Sequence, residues 1–136
     1  MKGSKKTRGQ KLPEKLSESE EIVMRCLWDS REPMRLSDVI TACEGYGHYW
    51  KAQTVSTFLL RLIQKNYIDF KPASPGRRVY FPKISMESYL DMQMHAMLDF
   101  WGKPTIHALA SAFSQTDALT KEDLTELREM LNDMDE

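Results

Sequence analysis

Residues 67–84, YIDFKPASPGRRVYFPKI, place two β-type segments on either side of a Pro-Gly pair, and this feature constrains the fold more than any other. Proline at one turn position and glycine at the next favour a tight reversal, because proline fixes φ and glycine accepts positive φ. The segment therefore predicts a two-stranded antiparallel hairpin. Arg77 and Arg78 follow the turn directly, so the hairpin carries positive charge beside its tip.

Three segments ahead of the hairpin have the apolar spacing of amphipathic helices. Ser17 and Glu20 have the spacing of a capping box, and the first helix follows them to about Asp29. Pro33 separates this helix from the second, which ends at two glycines. In the third helix the apolar residues fall at i, i+3, i+4, i+7 and i+8, and they are Val55, Phe58, Leu59, Leu62 and Ile63.

Three helices followed by a basic hairpin are the elements of a winged helix-turn-helix, in which the third helix enters the major groove of DNA. The polar face of that helix carries Gln53, Ser56, Thr57, Gln64 and Lys65. Short hydrogen-bonding groups at its front suit an approach to base edges, where bulky charges would obstruct. An ordinary solvated helix face and a solvated hairpin tip are the alternative interpretations of these residues.

The charge is divided between the two parts of the chain. Residues 1–83 hold 16 Lys/Arg against 9 Asp/Glu, whereas residues 84–136 hold 3 against 11. A basic first part favours a polyanionic partner, and the acidic second part should face away from it. Five of the positive charges belong to residues 1–14, a segment almost without apolar residues that we interpret as a disordered basic arm.

The last third of the chain is patterned as three helices rich in methionine and leucine. Thr120 and Asp123 form a weaker capping box ahead of the last of them. These faces exceed what a small winged helix can cover, so we predict a homodimer; a closed bundle within one chain is the alternative. The candidate interface residues are Leu90, Met94, Met97, Trp101, Leu124, Leu127, Leu131 and Met134.

We therefore predict a mostly α chain with a small β-hairpin: a basic arm (1–14), a winged helix-turn-helix DNA-binding domain (15–84) and a helical dimerisation domain (85–136). The chain has neither a secretory signal nor a long apolar run, so we expect a cytoplasmic protein without membrane insertion. Cys26 and Cys43 lie on apolar helix faces, which indicates buried free thiols. No grouping of residues indicates a catalytic site, a metal site or a cofactor.

Four segments, LSESEEIVMRCLWD, KAQTVSTFLLRLIQKNYI, RRVYFPKIS and LTKEDLTELREMLNDM, resemble the penicillinase repressor family over residues 16–134. The resemblance implies a dimeric bacterial repressor that binds an inverted-repeat operator in double-stranded DNA. Gln53, Thr54, Ser56, Thr57 and Arg61 match the family's recognition helix by position. With Lys51 and the wing residues Arg77 and Arg78, they form the predicted DNA-binding set.

The family also suggests how such a repressor is released. In its beta-lactam-responsive members, a membrane sensor triggers proteolysis at an Asn-Phe bond in the dimerisation domain. The matching pair here is Ala112 and Phe113, so the phenylalanine is kept and the asparagine is not. The cysteine cluster of copper-responsive members is missing from the C-terminal NDMDE, which argues against copper sensing through that site.

Two classes of function stay open at this point. The favoured one is a sequence-specific repressor acting as a homodimer. The other is a winged-helix interaction module whose basic face binds an acidic protein. Strong sequence preference in duplex binding would favour the repressor, and an enzyme is a distant third.

Overall fold

The computed structural model describes residues 14–115 and 119–134, without the side chain of Met134. The predicted basic arm lies outside the described residues except for Glu14. The chain is mostly helical with one hairpin, as predicted. Its elements in order are α1 (Glu18–Asp29), α2 (Leu36–Glu44), α3 (Ala52–Gln64), β1 (Ile68–Ser74), β2 (Arg77–Pro82), α4 (Met86–Trp101), α5 (Pro104–Ser114) and α6 (Lys121–Met134).

Both predicted capping boxes are confirmed. At the start of α1, the backbone N–H of Glu20 donates to Ser17 Oγ at 3.1 Å, and the N–H of Ser17 donates to Glu20 Oε1 at 2.9 Å. At the start of α6, Thr120 and Asp123 make the same reciprocal pair, each at 3.0 Å. Each box satisfies two backbone donors that the first helical turn leaves unpaired.

The core of the first part forms where α1, α2 and α3 pack against the start of β1 and the middle of β2. Its fully buried side chains include Val23, Met24, Leu27, Val39, Val55, Leu59, Leu62 and Ile68. Burying each such side chain stabilises the fold by about 1.5 to 3 kcal/mol. Cys26 and Cys43 belong to this core as free thiols, with their Sγ atoms 3.8 Å apart, so that prediction is confirmed.

The hairpin pairs β1 with β2 antiparallel, with Phe70 opposite Tyr80 and a register shift between Pro72 and Ser74. Gly76 in the turn has φ +74°, which explains why glycine is needed there. Met34 adds a third, single-residue bridge: its N–H donates to Tyr80 O at 2.9 Å, and the N–H of Tyr80 donates back at 2.7 Å. This bridge, which sequence patterning did not predict, fixes the hairpin to the loop between α1 and α2.

A buried ion pair joins the first turn of α1 to the end of α3. Lys65 Nζ donates to Glu20 Oε1 at 2.7 Å and to the carbonyl of Lys15 at 2.9 Å. Burial acts to raise the pKa of the Glu20 carboxyl, but the Lys65 hydrogen bond, the Ser17 N–H and the positive charges of Lys65 and Arg61 outweigh it and hold the pKa below its ordinary value.

The chain divides into two compact units, one ending at Met92 and the other beginning at Gln93. The first contains the winged helix and the first turns of α4, where Tyr89 is buried, donates to the Glu21 carboxylate and packs against Trp28. The second contains the rest of α4 with α5 and α6. Within the described residues, no helix has the length and apolarity needed to cross a membrane.

Candidate nucleic-acid interface and dimer face

The exposed face of α3 is the first part of the candidate interface. The other face of α3, with Val55, Leu59 and Leu62, is buried in the core. The polar face of the helix therefore points to solvent. Gln53, Ser56, Thr57 and Arg61 are exposed there, Thr54 is half-buried, and Lys51 is exposed at the residue preceding the helix. The Thr57 hydroxyl donates to the carbonyl of Gln53 at 3.0 Å, so its lone pairs remain available to an outside donor.

One residue of the predicted polar face lies elsewhere. We predicted Lys65 on the exposed side of the third helix, and this is wrong: Lys65 is the residue after α3 and its side chain is only 19% exposed. The reason is a tertiary contact that helical periodicity does not reveal: the Lys65 side chain turns back to the Glu20 carboxylate. Once Glu20 is buried, leaving its carboxylate without a cation would be costly.

A groove of about 270 Å³ lies between α3 and β2. It brings together four predicted DNA-binding residues, Gln53, Ser56, Thr57 and Arg78, with three that we did not predict: Leu60, Ile63 and Tyr80. Lys51, Thr54, Arg61 and Arg77 do not line it. Two-residue alternation along β2 puts Tyr80 and Arg78 on the same side of the hairpin, so the strand pattern held the signal for Tyr80.

The two arginines of the wing are in different surroundings. Arg78 lines both the α3 groove and a second cavity of about 450 Å³ at the tip of the wing, and its guanidinium carbon lies 4.2 Å from the centre of the Phe70 ring. Arg77 lines only the tip cavity. Within residues 14–115 and 119–134, neither arginine pairs with a carboxylate, so both charges face solvent.

Within residues 14–83, the positive charge is concentrated on α3 and the wing. Residues 51–83 hold seven Lys/Arg and one acidic residue, whereas residues 14–50 hold four Lys/Arg and eight acidic residues. Within residues 14–50, Arg25 pairs with Asp29 at 3.1 Å and Arg35 pairs with Asp38 at 3.6 Å. The unpaired cations therefore gather beside the exposed face of α3, where a polyanion would meet them.

The second unit exposes apolar side chains on each of its helices. Trp101 is 64% exposed on α4, Ile106 is exposed on α5, and Leu131 is 54% exposed on α6. Of the other predicted interface residues, Leu90, Met97 and Leu124 are exposed, and Met94 and Leu127 are half-buried. The side chain of Met134 lies outside the described part of the structure, and the role of the whole set in dimerisation remains a prediction.

The predicted cleavage position lies near the end of α5. Ala112 and Phe113 are both exposed, and the helix continues one residue beyond them to Ser114. A protease binds its substrate as an extended strand, so cleavage here would require the last turn of α5 to unwind. No grouping of three or more His, Cys, Asp or Glu side chains suited to a metal ion occurs among the described residues.

The chain is similar to several known proteins. The penicillinase repressor from Bacillus licheniformis is 28% identical over 124 residues, covering 90% of this chain and 93% of that protein. The solution structure of monomeric B. licheniformis BlaI in complex with the blaP half-operator matches with a TM-score of 0.47 at 27% identity, over 57% of this chain and 92% of that one. A Bordetella bronchiseptica BpsR structure, described with 6-hydroxynicotinic acid, matches with a TM-score of 0.44 at 17% identity, over 92% and 84%.

The family assignment follows from the span of the match. The family model for the penicillinase repressor covers residues 16–133, which include all three helices of the winged helix, its wing and the three helices that follow. The chain belongs to the penicillinase repressor family of winged-helix transcription repressors.

Proposed function

We propose that the protein is a homodimeric transcriptional repressor that binds an inverted-repeat operator in double-stranded DNA. Each subunit places α3 in one major groove and its wing along the adjacent backbone. A two-fold dimer sets the two recognition helices about 34 Å apart, or somewhat further, so that they meet half-sites on one side of the duplex. Repression then follows because the bound dimer occludes RNA polymerase in the cytoplasm.

The observation that carries this proposal is the exposed polar face of α3 beside the unpaired cations of residues 51–83. Gln53 offers an amide that donates and accepts at once, which matches the donor and acceptor pattern of adenine in the major groove. Lys51, Arg61, Arg77 and Arg78 supply charge for phosphates, which position the protein without reading sequence. Family membership supports the same function.

The dimer rests on the apolar side chains of α4 and α6. Leu90, Trp101, Leu124 and Leu131 are each close to half exposed or more in the single chain. An isologous interface buries each of these twice, once per subunit, and each burial contributes about 1.5 to 3 kcal/mol before the cost of association. The acidic character of residues 84–136 favours a position away from the DNA.

Release of the operator by cleavage at Ala112–Phe113 completes the proposal. The trigger would be a membrane sensor protease or a pathway under its control. Cleavage after α4 and before α6 would separate two parts of the proposed dimer face, and the weakened dimer would lose the second half-site. Exposure of both side chains supports access to this bond.

Selection of bound duplexes from a random library, at low and at moderate salt, tests the proposal. We expect enrichment of an inverted repeat that persists as salt rises, because base contacts add to the salt-dependent phosphate contacts. Recovery of unrelated sequences that are lost together at moderate salt would refute a sequence-specific repressor. The basic face would then fit the alternative, an interaction module for an acidic protein.

A further inference from the structure

Phe70 is an aromatic side chain that the core does not use. It lies on β1, is 39% exposed, and is absent from the cluster of buried residues that α1, α2 and α3 form. Its ring faces Tyr80 across the hairpin, with centroids 6.3 Å apart, and the Arg78 guanidinium carbon lies 4.2 Å from its centre. At the strand surface, the ring is therefore in contact with a cation and is not itself part of the core.

The contact restrains Arg78 without consuming its hydrogen-bonding capacity. A guanidinium over an aromatic ring is attracted by the ring's quadrupole, whereas its N–H donors need oxygen acceptors. Among the described residues, no acceptor takes a hydrogen bond from the Arg78 guanidinium. The side chain is therefore held in place with its donors free, which is the arrangement that bidentate recognition of a phosphate requires.

The register of the hairpin explains why Arg78 lies over the Phe70 ring. Phe70 is opposite Tyr80, and Arg78 is two residues from Tyr80 on the same strand, so the three side chains share the face that borders the α3 groove. Arg77 lines the tip cavity together with Phe70 and Arg78 but does not line the α3 groove, and among the described residues no aromatic ring lies against its guanidinium. On the other face of the hairpin, Lys71 contacts the Phe81 ring at a longer distance of 5.8 Å.

We infer that Phe70 is a positioning residue, which holds the Arg78 guanidinium at the edge of the groove between α3 and β2 to receive a phosphate of the DNA strand passing there. This inference rests on the proposed function, since it names a subsite of the same interface. The two adjacent arginines then act differently: Arg78 is pre-organised by a ring, and Arg77 contributes charge without one. Pre-organisation increases affinity because less side-chain entropy is lost on binding.

A double-mutant cycle on the full chain tests this inference. The probe is a fluorescein-labelled duplex of mixed sequence, three helical turns long, because phosphate contacts do not depend on sequence. Phe70→Leu keeps an apolar residue in the strand and removes the ring, and we expect it to weaken binding about two- to fivefold. The same change should have no effect in an Arg78→Ala background and its full effect in an Arg77→Ala background.

Phe70→Tyr, which keeps a ring beneath the guanidinium, should bind within about twofold of the unmodified chain. Two results would overturn the inference: an unchanged affinity for Phe70→Leu, or an equal loss in both arginine backgrounds, which a merely structural role in the wing would produce. A tyrosine variant as weak as the leucine variant would do the same. Failure of the unmodified chain to bind the duplex would refute the proposed function itself, so the two failures are distinguishable.

Discussion

Removing the amine of Lys65 should destabilise the first unit, because it leaves the buried Glu20 carboxylate without its cationic partner. Glu20 is only 2% exposed, and Lys65 Nζ is its single cationic partner at hydrogen-bond distance among the described residues, 2.7 Å away. Breaking a buried ion pair by removing one partner costs about 3 to 5 kcal/mol. Lys65 is 19% exposed, so we expect the lower end of that range, about 3 kcal/mol, for Lys65→Met.

The control is Glu20→Gln, which removes the charge and keeps an oxygen for the Ser17 N–H, as glutamine does in a capping box. In that background, Lys65→Met should cost about 1 kcal/mol or less, because no buried anion remains. Urea unfolding at neutral pH, followed by tryptophan fluorescence, gives the free energy of unfolding for all four chains. A loss for Lys65→Met that is the same in both backgrounds would refute the reasoning.

The pH dependence provides an independent check on the same pair. The pKa of Glu20 lies below its unfolded value, so the pair's contribution is fully present above the unfolded pKa, about 4.3, and disappears as pH falls through the folded pKa. The difference in unfolding free energy between the unmodified chain and Lys65→Met should therefore shrink from neutral pH to about pH 3. A constant difference across that range would mean that another contact of Lys65 carries the stability.

Three further predictions concern the interface, the dimer and the core. Gln53→Ala should relax base preference in competition binding, at a cost of about 1 to 3 kcal/mol at a contacted base pair. Gln64→Ala, also on α3 but outside the groove, should leave the preference intact. Equal effects of the two substitutions would mean that the recognition face is not the one we propose. Leu131→Asp should shift sedimentation towards the monomer, because it puts an unpaired charge on the proposed interface. Asn132→Asp adds the same charge at the adjacent exposed residue and should leave the dimer intact. A dimer that survives both substitutions would exclude Leu131 from the interface. Burial, and to a smaller extent the neighbouring Cys43, raises the pKa of the Cys26 thiol to about 12. Iodoacetamide at neutral pH should therefore label Cys26 only after the chain unfolds. Rapid labelling of the native chain, detected by mass spectrometry, would contradict this burial.

Periodicity and capping predicted the elements of the first unit well because each signal there is local. Ser17 with Glu20 marked the start of α1, and Pro75 with Gly76 marked the turn of the wing. The pairing of Lys65 with Glu20 was not predictable in this way, since it joins residues 45 positions apart and depends on how α1 and α3 pack. The bridge between Met34 and Tyr80 has the same character, because a single extended residue carries no periodicity.

The candidate site was predictable by residue type but not by arrangement. A count of charges identifies Arg77 and Arg78 as a pair, and only the folded hairpin shows that Arg78, and not Arg77, lies over the Phe70 ring and lines the α3 groove. Phe70 gave no functional signal, because an aromatic residue in a β-type segment is ordinarily explained by core packing. Its exposure and its distance from Arg78 are properties of the folded hairpin.

The distribution of charge links the two units to one mode of action. Residues 51–83 hold seven Lys/Arg against one acidic residue and residues 1–13 hold five more Lys/Arg, whereas residues 84–136 carry 11 acidic residues against 3 basic ones. If both units bound the same polyanion, the acidic one would weaken the complex by like-charge repulsion. An acidic unit with exposed apolar side chains on α4 and α6 is instead suited to bind a second copy of itself. In such a dimer, leucine, methionine and tryptophan would fill the centre of the interface, and the carboxylates would stay at its solvated rim. As the salt concentration falls, dimer formation should therefore weaken only slightly, whereas DNA binding should strengthen steeply. These opposite responses distinguish the two surfaces in a single salt titration.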